Sequence, residues 1–244
     1  SKQIVTRFPS IYRFCLDKGL DITKEMIPVA PAAHYMIGGV KTNVWGETNI
    51  KGLFACGEAA CTGVHGANRL ASTSLMETLL FGKRIVKRML FGNVWTGSAP
   101  EPNDIVTSLD KHVMQSKVNE NKDGDAYNDR ELSLANLQRL MWENVGMIRS
   151  GDNLGKAVGQ LSNWYIEGGD LKSSSPDSIE LKLMVIVALL TSITALIRTE
   201  SRGTHYRSDY PKKDDGQWLK HIMLQRGAEP GEIRVSHRPL ARMQ

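Results

Sequence analysis

The chain has 244 residues and a mass of 27.1 kDa. Its composition, with 41% hydrophobic and 23% charged residues, is typical of a folded globular protein. Of its net charge of +5, most lies after residue 197, without the aromatic interleaving that a nucleic-acid surface would show. The 3 cysteines are too few for a disulfide framework and are not spaced as metal ligands. Such cysteines are typical of a protein in a reducing compartment.

The first quarter of the chain predicts a short helix followed by short strands. Residues 6–10 start the helix, Ile11, Phe14 and Cys15 share its apolar face, and Gly19 ends it. The prolines that follow favour an extended chain over residues 22–31. Residues 33–56 read as short strands, with a hairpin-like turn over 44–48 and a buried parallel strand over 53–56 that ends at Gly57.

A loop of small residues over 57–74 precedes a long helix from about Leu75 to Leu90. Ser74 is its predicted N-cap and Glu77 the partner in a capping box, while Gly92 ends the helix. Residues 93–128 then predict a linker and polar region, with a short helix over 105–117 inside it.

The remainder predicts helices packed as an antiparallel bundle. Their periodic apolar residues span 130–149, 154–165 and 179–200, and Asp152 is the predicted N-cap of the second. The third is apolar nearly all round, but its run over 183–197 is too short and too polar for a membrane span, so a buried central helix is predicted. Residues 201–244 predict a basic irregular tail.

Residues 33–77 concentrate glycine and polar side chains, which suits binding of a polar ligand. Arg69 stands among small residues, and its guanidinium fork matches a carboxylate; a salt bridge to a distant acid is the alternative. His34 could donate to the same anion, or be an ordinary core histidine. Glu58 could accept from sugar or polyol hydroxyls, or make an ion pair. The helix start at Ser74 and Leu75 could stabilise negative charge, or be only a cap.

Together these motifs resemble the succinate dehydrogenase/fumarate reductase flavoprotein family. The resemblance is carried by P-V-A-P-A-A-H-Y over 28–35, G-G-V over 38–40, G-L-F-A-C-G-E over 52–58 and H-G-A-N-R-L-A-S-T-S-L-M-E over 65–77, with R-G-T-H over 202–205. Ala32 before the histidine and Ala71 after the arginine favour the L-aspartate oxidase branch, since the succinate dehydrogenase branch more often has Thr and Gly there.

The resemblance implies an α/β plus α fold. Residues 1–33 would end a capping domain, 34–92 would form part of an FAD-binding Rossmann-like domain, 93–128 a linker and 129–200 the helical bundle. His34 and Arg69 match the family's substrate-carboxylate ligands, and Glu58 matches a residue at the FAD ribityl chain. Ser74 and Leu75 match the helix start beside the isoalloxazine ring. Thr73 stands where the family often has Asn.

The chain departs from the family in lacking a Gly-x-Gly-x-x-Gly phosphate loop and the arginine that transfers a proton. Both belong to the family's N-terminal half, so this chain alone is not expected to bind FAD tightly or turn over, and that half is an expected partner. No catalytic residue and no metal ligand is assigned within the chain.

The implied reaction is oxidation of L-aspartate to iminoaspartate with FAD as hydride acceptor, in the cytoplasmic synthesis of NAD. Dioxygen or fumarate would reoxidise the flavin, and quinolinate synthase is a candidate partner. The alternatives are a succinate dehydrogenase or fumarate reductase flavoprotein subunit with succinate or fumarate as substrate, and a non-catalytic helical scaffold. Neither nucleic acid nor a membrane span is expected.

Overall fold

The computed structural model describes residues 2–92, 131–167, 175–227 and 232–240, together with the backbone of 107–108. The chain divides into two compact units, Ser1–Tyr35 and Met36–Gln244. Both helices and small sheets are present, so the α/β character expected from the sequence is confirmed at that level.

The first unit consists of two short helices and an extended segment. The helices are α1 (Lys2–Arg7) and α2 (Pro9–Asp17), and the positive φ of 80° at Gly19 ends the second. The predicted helix is therefore confirmed. Its apolar face is only partly covered within the unit, because Cys15 is buried whereas Phe14 is 65% exposed. Residues 26–35 are extended without regular pairing.

The second unit begins with a parallel strand pair and a small antiparallel turn. The pair joins β1 (Val40–Lys41) to β2 (Ala60–Cys61). The predicted parallel strand over 53–56 is wrong: only Phe54 pairs there, in an antiparallel bridge with Glu47. Two tight turns prevent a longer strand, since the Gly46 N–H donates to the Asn43 carbonyl and the Leu53 N–H donates to the Ile50 carbonyl, each at 3.0 Å.

Helix α3 (Thr73–Phe91) confirms the long helix predicted near residues 75–90. The predicted N-cap is wrong, because the helix starts after Ser72 and no side chain caps it. Phe81 is buried, and the buried Glu47 accepts a 2.7 Å hydrogen bond from the Arg88 Nε, which fixes the helix against the antiparallel turn. Much of the helix surface is apolar and exposed, at Leu75, Met76, Leu79, Leu80, Val86, Met89, Leu90 and Phe91.

Three helices pack around one apolar core in the C-terminal part. They are α4 (Leu134–Val145), α5 (Gly151–Glu167) and α6 (Pro176–Ile197). Fully buried core residues include Leu154, Leu161, Trp164 and Leu189. The first predicted helix runs too far, since Gly146 ends α4, and residues 148–149 form a strand instead.

Serine side chains begin these three helices, as their early amide groups require. The Ser133 Oγ accepts from the Asn136 N–H at 3.2 Å, and the Ser175 Oγ accepts from the Ser178 N–H at 3.3 Å. At α5 the cap is Ser150, whose Oγ accepts from the Asn153 N–H at 3.3 Å. The predicted cap at Asp152 is therefore wrong by two positions.

Residues 201–240 are not the irregular tail expected from their composition. Strand β5 (Tyr206–Arg207) pairs in parallel with β4 (Ile148–Arg149), and helix α7 (Asp215–Trp218) follows. Strands β6 (Lys220–Arg226) and β7 (Ile233–Pro239) form an antiparallel hairpin, with β3 (Thr107–Ser108) on the other side of β7. The helix predicted over 105–117 is wrong at 107–108, and the rest of it lies outside the described residues.

Helix α6 alone among the described helices has the length and composition to cross a bilayer. A core helix of a soluble domain passes the same test. In this structure its residues Val185, Leu189, Ser192 and Ile193 are buried among the other two helices. This packing supports the buried central helix predicted from the sequence.

His205 lies between two arginines beneath the end of α6. Its Nδ1 is 2.9 Å from the Arg149 Nη1, and its Nε2 is 3.2 Å from the Arg198 carbonyl oxygen. Because a guanidinium can only donate, Nδ1 accepts and the proton resides on Nε2. Burial lowers the pKa of His205 to about 4, and the neighbouring arginines act in the same direction.

We expect the free energy of unfolding to fall as the pH is lowered from 6.5 towards about 4. In this window the unfolded chain binds more protons than the folded chain, so acid favours unfolding. Urea unfolding across this range should show a flatter pH dependence for His205→Gln. His221 and His237, whose pKa values burial also lowers, contribute to the slope that remains. Towards pH 4 the carboxyls of Glu200 and Asp209 contribute as well, because hydrogen bonds from arginines hold their pKa values below the ordinary range. An unchanged slope in the variant contradicts the assignment.

Candidate functional site

The short parallel pair brings residues 36–41 beside residues 57–61. Gly39 has a φ of 126°, and a Cβ at this position would lie 2.5 Å from the Ala59 carbonyl oxygen. A side chain would therefore push the two segments apart. The Gly-Gly pair singled out in the sequence permits close backbone approach next to the predicted site residue Glu58.

Glu58 lies on a single 3-10 turn over Gly57–Ala59 and is exposed. Its Oε1 accepts a hydrogen bond from the Met36 N–H at 2.8 Å, which fixes the direction of the carboxylate. A Cβ on Gly57 would lie 3.2 Å from the Thr78 Oγ1, so the turn packs directly against α3. The carboxylate is thus held at the surface close to the first turns of α3.

The loop over 62–72 is attached to α3 through Glu77. This carboxylate is 3% exposed; its Oε1 accepts a short hydrogen bond from the Thr62 Oγ1, and its Oε2 is 2.7 Å from the His65 Nε2. The predicted capping box is therefore wrong, because Glu77 turns towards the loop and not towards Ser74. Sequence reasoning missed this pair because a buried carboxylate three residues after a serine looks the same as a capping residue.

Arg69 lies at the start of α3, as expected for an anion ligand. The side chain is half-buried, and its Nη1 is 3.3 Å from the Ser74 Oγ and 3.4 Å from the Leu70 carbonyl oxygen. Both are long hydrogen bonds from the guanidinium to uncharged oxygens, and they orient the side chain. The structure therefore brings two of the predicted site residues, Arg69 and Ser74, together.

Backbone strain accompanies this arrangement. Ser72 has a φ of 68° and is, in the part of the chain that the structure describes, the one residue other than glycine with a left-handed backbone. Such conformations cost roughly 1–3 kcal/mol and cluster at ligand sites. The strained residue immediately precedes the uncapped start of α3, where Leu75 is 68% exposed. The amides of the first turn are consequently not covered by a capping side chain.

His34 belongs to the first unit, in the extended segment before Tyr35, and its side chain is exposed. Its role as a second carboxylate ligand stays a prediction. Burial raises the pKa of the Cys61 thiol, which keeps it protonated and unreactive. Across residues 2–92, 131–167, 175–227 and 232–240, no group of three or more His, Cys, Asp or Glu side chains is placed to hold a metal ion.

The geometry fits the flavin end of FAD, the cofactor implied by the sequence motifs. An uncapped helix start and a guanidinium provide positive potential for the ring, and an exposed, oriented carboxylate can accept from the ribityl hydroxyls. Gly39 and Gly57 let the segment that carries Glu58 pack closely against the neighbouring strand segment and against α3, which holds these groups in place. The sequence contains no Gly-x-Gly-x-x-Gly loop of the kind that binds the pyrophosphate of FAD.

Two family models match the chain. The FAD binding domain matches residues 1–75, and the C-terminal region of the fumarate reductase flavoprotein matches residues 134–244. The two matches lie on either side of the predicted linker.

Several curated relatives are L-aspartate oxidases. The protein from Streptomyces coelicolor is 37% identical over 231 residues, which is 89% of this chain and 37% of that protein. The protein from Synechocystis is 38% identical, covering 92% of this chain and 42% of its own length. A chloroplastic relative from Oryza sativa is 36% identical over 88% of this chain and 34% of its own length. The chain thus spans between a third and a half of the relatives it matches.

Two solved structures share the fold over nearly the whole chain. An E. coli quinol fumarate reductase superposes with a TM-score of 0.72 at 28% identity, covering 99% of this chain and 43% of that one. A quinol-fumarate reductase with menaquinol molecules gives a TM-score of 0.74 at 29% identity, with the same two coverages of 99% and 43%.

Proposed function

The chain belongs to the succinate dehydrogenase/fumarate reductase flavoprotein family, and from this premise we propose that it forms part of an FAD-dependent L-aspartate oxidase. The reaction is oxidation of L-aspartate to iminoaspartate. The observation that carries the proposal is the position of Arg69, whose guanidinium lies beside the uncapped start of α3. An anionic substrate and an electron-rich ring can both be stabilised at that place.

In the proposed reaction Arg69 binds a carboxylate of the substrate through two parallel hydrogen bonds. His34 donates a further hydrogen bond to the substrate. Holding the carboxylate in this way fixes the direction of the Cα–H bond, which is a positioning effect on the rate. Ser74 keeps the guanidinium in place from the first turn of α3.

FAD supplies the acceptor for the hydride that leaves the substrate Cα. The start of α3 at Ser74 and Leu75 would offer its free amide groups and the positive end of the helix dipole to the electron-rich ring of bound FAD. Glu58, oriented by the Met36 N–H, accepts hydrogen bonds from the ribityl chain. No residue of the described chain is assigned to proton transfer.

The rest of the site is proposed to lie in a further part of the protein, which corresponds to the portion of the relatives that this chain does not match. That part would hold the FAD phosphates and the proton-transferring arginine. The exposed apolar residues of α3 support this proposal, because large apolar patches mark surfaces that another element covers. Within the chain, 1–33 would end the capping domain, 34–92 complete the FAD-binding domain, 129–200 form the antiparallel bundle and 201–244 the basic C-terminal segment, with 93–128 as linker.

The proposed setting is cytoplasmic synthesis of NAD, with dioxygen or fumarate as the electron acceptor and quinolinate synthase as a partner that consumes the product. The names of the relatives support the substrate. A succinate dehydrogenase or fumarate reductase flavoprotein is the second candidate, favoured by the fumarate reductases that share the fold. Their identity to this chain is lower than that of the oxidases.

Anaerobic reduction of the FAD-loaded holoenzyme tests the proposal. We expect L-aspartate to bleach the flavin absorbance and succinate to leave it unchanged, because the substrates share two carboxylates and differ in the amine. Product analysis should then find iminoaspartate or its hydrolysis product oxaloacetate. Bleaching by succinate and not by L-aspartate assigns the protein to the second candidate, and bleaching by neither supports a scaffold.

A further inference from the structure

A turn in the C-terminal part of the chain touches the loop that carries Arg69. Residues 202–205 form a two-residue turn, in which the Arg202 N–H donates to the His205 carbonyl at 2.8 Å. At its tip the Thr204 N–H donates to the Ala67 carbonyl oxygen at 3.3 Å. Ala67 stands two positions before Arg69, so this contact fixes the backbone next to the guanidinium.

The contact requires glycine at position 203. Gly203 has a φ of 59°, and a Cβ there would overlap the Ala67 carbonyl oxygen and lie 2.5 Å from its carbonyl carbon and 2.8 Å from its Cβ. The neighbours are main-chain atoms, which cannot rotate away as the end of a flexible side chain can. Any other residue at 203 must therefore displace either the turn or the loop.

The turn is the rigid partner in this contact. Arg202 makes two hydrogen bonds to the fully buried Glu200, at 2.7 and 2.9 Å, and a third to Asp215 at 2.7 Å. At the other end of the turn, His205 is held by Arg149 at 2.9 Å. Fork-to-carboxylate pairs of this kind have little angular freedom. The turn can therefore fix the position of the backbone that it contacts.

The loop is the adaptable partner. Its glycines Gly63 and Gly66 both have positive φ, and in neither case does any atom lie within 4 Å of the place where a Cβ would be. Glu77 attaches the loop near its beginning through Thr62 and His65. Beyond His65 the side chains of the small residues up to Asn68 are exposed. A second attachment is thus needed close to Arg69, and the turn provides it.

We propose that the 202–205 turn is a positioning element for Arg69, which acts through the contact of Gly203 and Thr204 with Ala67. The proposal rests on the function assigned above to Arg69. The C-terminal part of the chain then sets the geometry of the carboxylate ligand without itself touching the substrate. Gly203 and Thr204 are positioning residues, not catalytic ones.

Binding of malonate to the FAD-loaded holoenzyme tests the proposal, because this dicarboxylate cannot be oxidised and its binding perturbs the flavin spectrum. We expect Gly203→Ala to raise the Kd for malonate about 10- to 100-fold, because a displacement of about 1 Å in a positioned group can cost up to about 100-fold. Gly52→Ala is the matched control, since its φ of 85° imposes the same backbone strain with nothing within 4 Å. It should leave the Kd unchanged.

A double-mutant cycle with Arg69→Ala separates positioning from general damage. If the turn acts through Arg69, Gly203→Ala should change the Kd less than about twofold once Arg69 is absent. An equal loss in both backgrounds, or a normal Kd in Gly203→Ala alone, overturns the proposal. If Arg69→Ala by itself leaves malonate binding intact, the proposed function of Arg69 fails instead.

Thr204→Pro removes the amide donor and places the ring Cδ where the amide hydrogen pointed at the Ala67 carbonyl oxygen, so it breaks the contact in a second way. It decides the question if Gly203→Ala does not yield holoenzyme. The proposal is supported if Thr204→Pro lowers the affinity for malonate in the protein that contains Arg69 and leaves it unchanged in the Arg69→Ala variant. Unchanged affinity with the amide removed contradicts it.

Discussion

Arg69→Ala in the FAD-loaded holoenzyme is expected to lower kcat/KM for L-aspartate by a factor of about 30 to 4,000. Removal of one partner from a desolvated, hydrogen-bonded charge pair costs about 2–5 kcal/mol, and every 1.4 kcal/mol is tenfold. The loss should appear in both KM and kcat, because the guanidinium is proposed to bind the substrate and also to orient it. Steady-state rates and the flavin spectrum with malonate measure the two effects.

Two further variants sharpen this result. Arg69→Lys keeps the positive charge but not the fork, and we expect an intermediate rate, since a lysine cannot make two parallel bonds to one carboxylate. Lys87→Ala removes an exposed positive charge from α3 and should have no effect. If Arg69→Ala retains the parental kcat/KM, the chain is better interpreted as a scaffold.

Glu200→Ala is expected to destabilise the protein by about 3–5 kcal/mol, the usual cost of removing one partner from a buried ion pair. Glu200 is fully buried and accepts from the Arg198 Nη1 at 2.7 Å, from Arg202, and from the Asp214 N–H at 2.8 Å. Burial alone raises the pKa of this carboxyl, but these hydrogen bonds outweigh it and hold the pKa below its ordinary value. Without the carboxylate two arginines lose their buried anion.

Thermal and urea unfolding of Glu200→Ala measure the loss. Asp215→Asn is the matched control, because Asp215 pairs with the same Arg202 at 2.7 Å but is 56% exposed, and exposed pairs contribute little. We expect a much smaller change for the control. Equal losses in the two variants indicate that Glu200 is not the centre of the network.

Much of the fold follows from local pattern. Helices α3, α5 and α6 were predictable because apolar residues recur at helical spacing over many turns and glycine or proline marks their boundaries. The strand predicted over 53–56 failed because a short apolar run beside glycine is compatible with a tight turn. The hairpin of β6 and β7 was missed because the apolar run of β6 does not alternate with polar residues and the alternation of Ile233 and Val235 with Arg234 and Ser236 in β7 is short and lies in a basic segment.

The candidate site was predictable where its residues are close together in the sequence. Arg69 and Ser74 are five positions apart at a helix start, so the sequence alone places them together. Glu77 was assigned wrongly, because its partners Thr62 and His65 reach it only once the loop has folded back. The contact of Thr204 with Ala67 had no signal in the sequence except an isolated glycine, which equally predicts an ordinary turn.

The contact between Ala67 and Thr204 also bears on the order of folding. These residues are separated by more than half of the chain, so closing the loop between them costs entropy that local contacts do not. The helices α4 to α6 and the Glu200 network can form before that closure, whereas the backbone around Arg69 reaches its final position only afterwards. We therefore expect the loop that carries Arg69 to be completed late, when the C-terminal part has already folded.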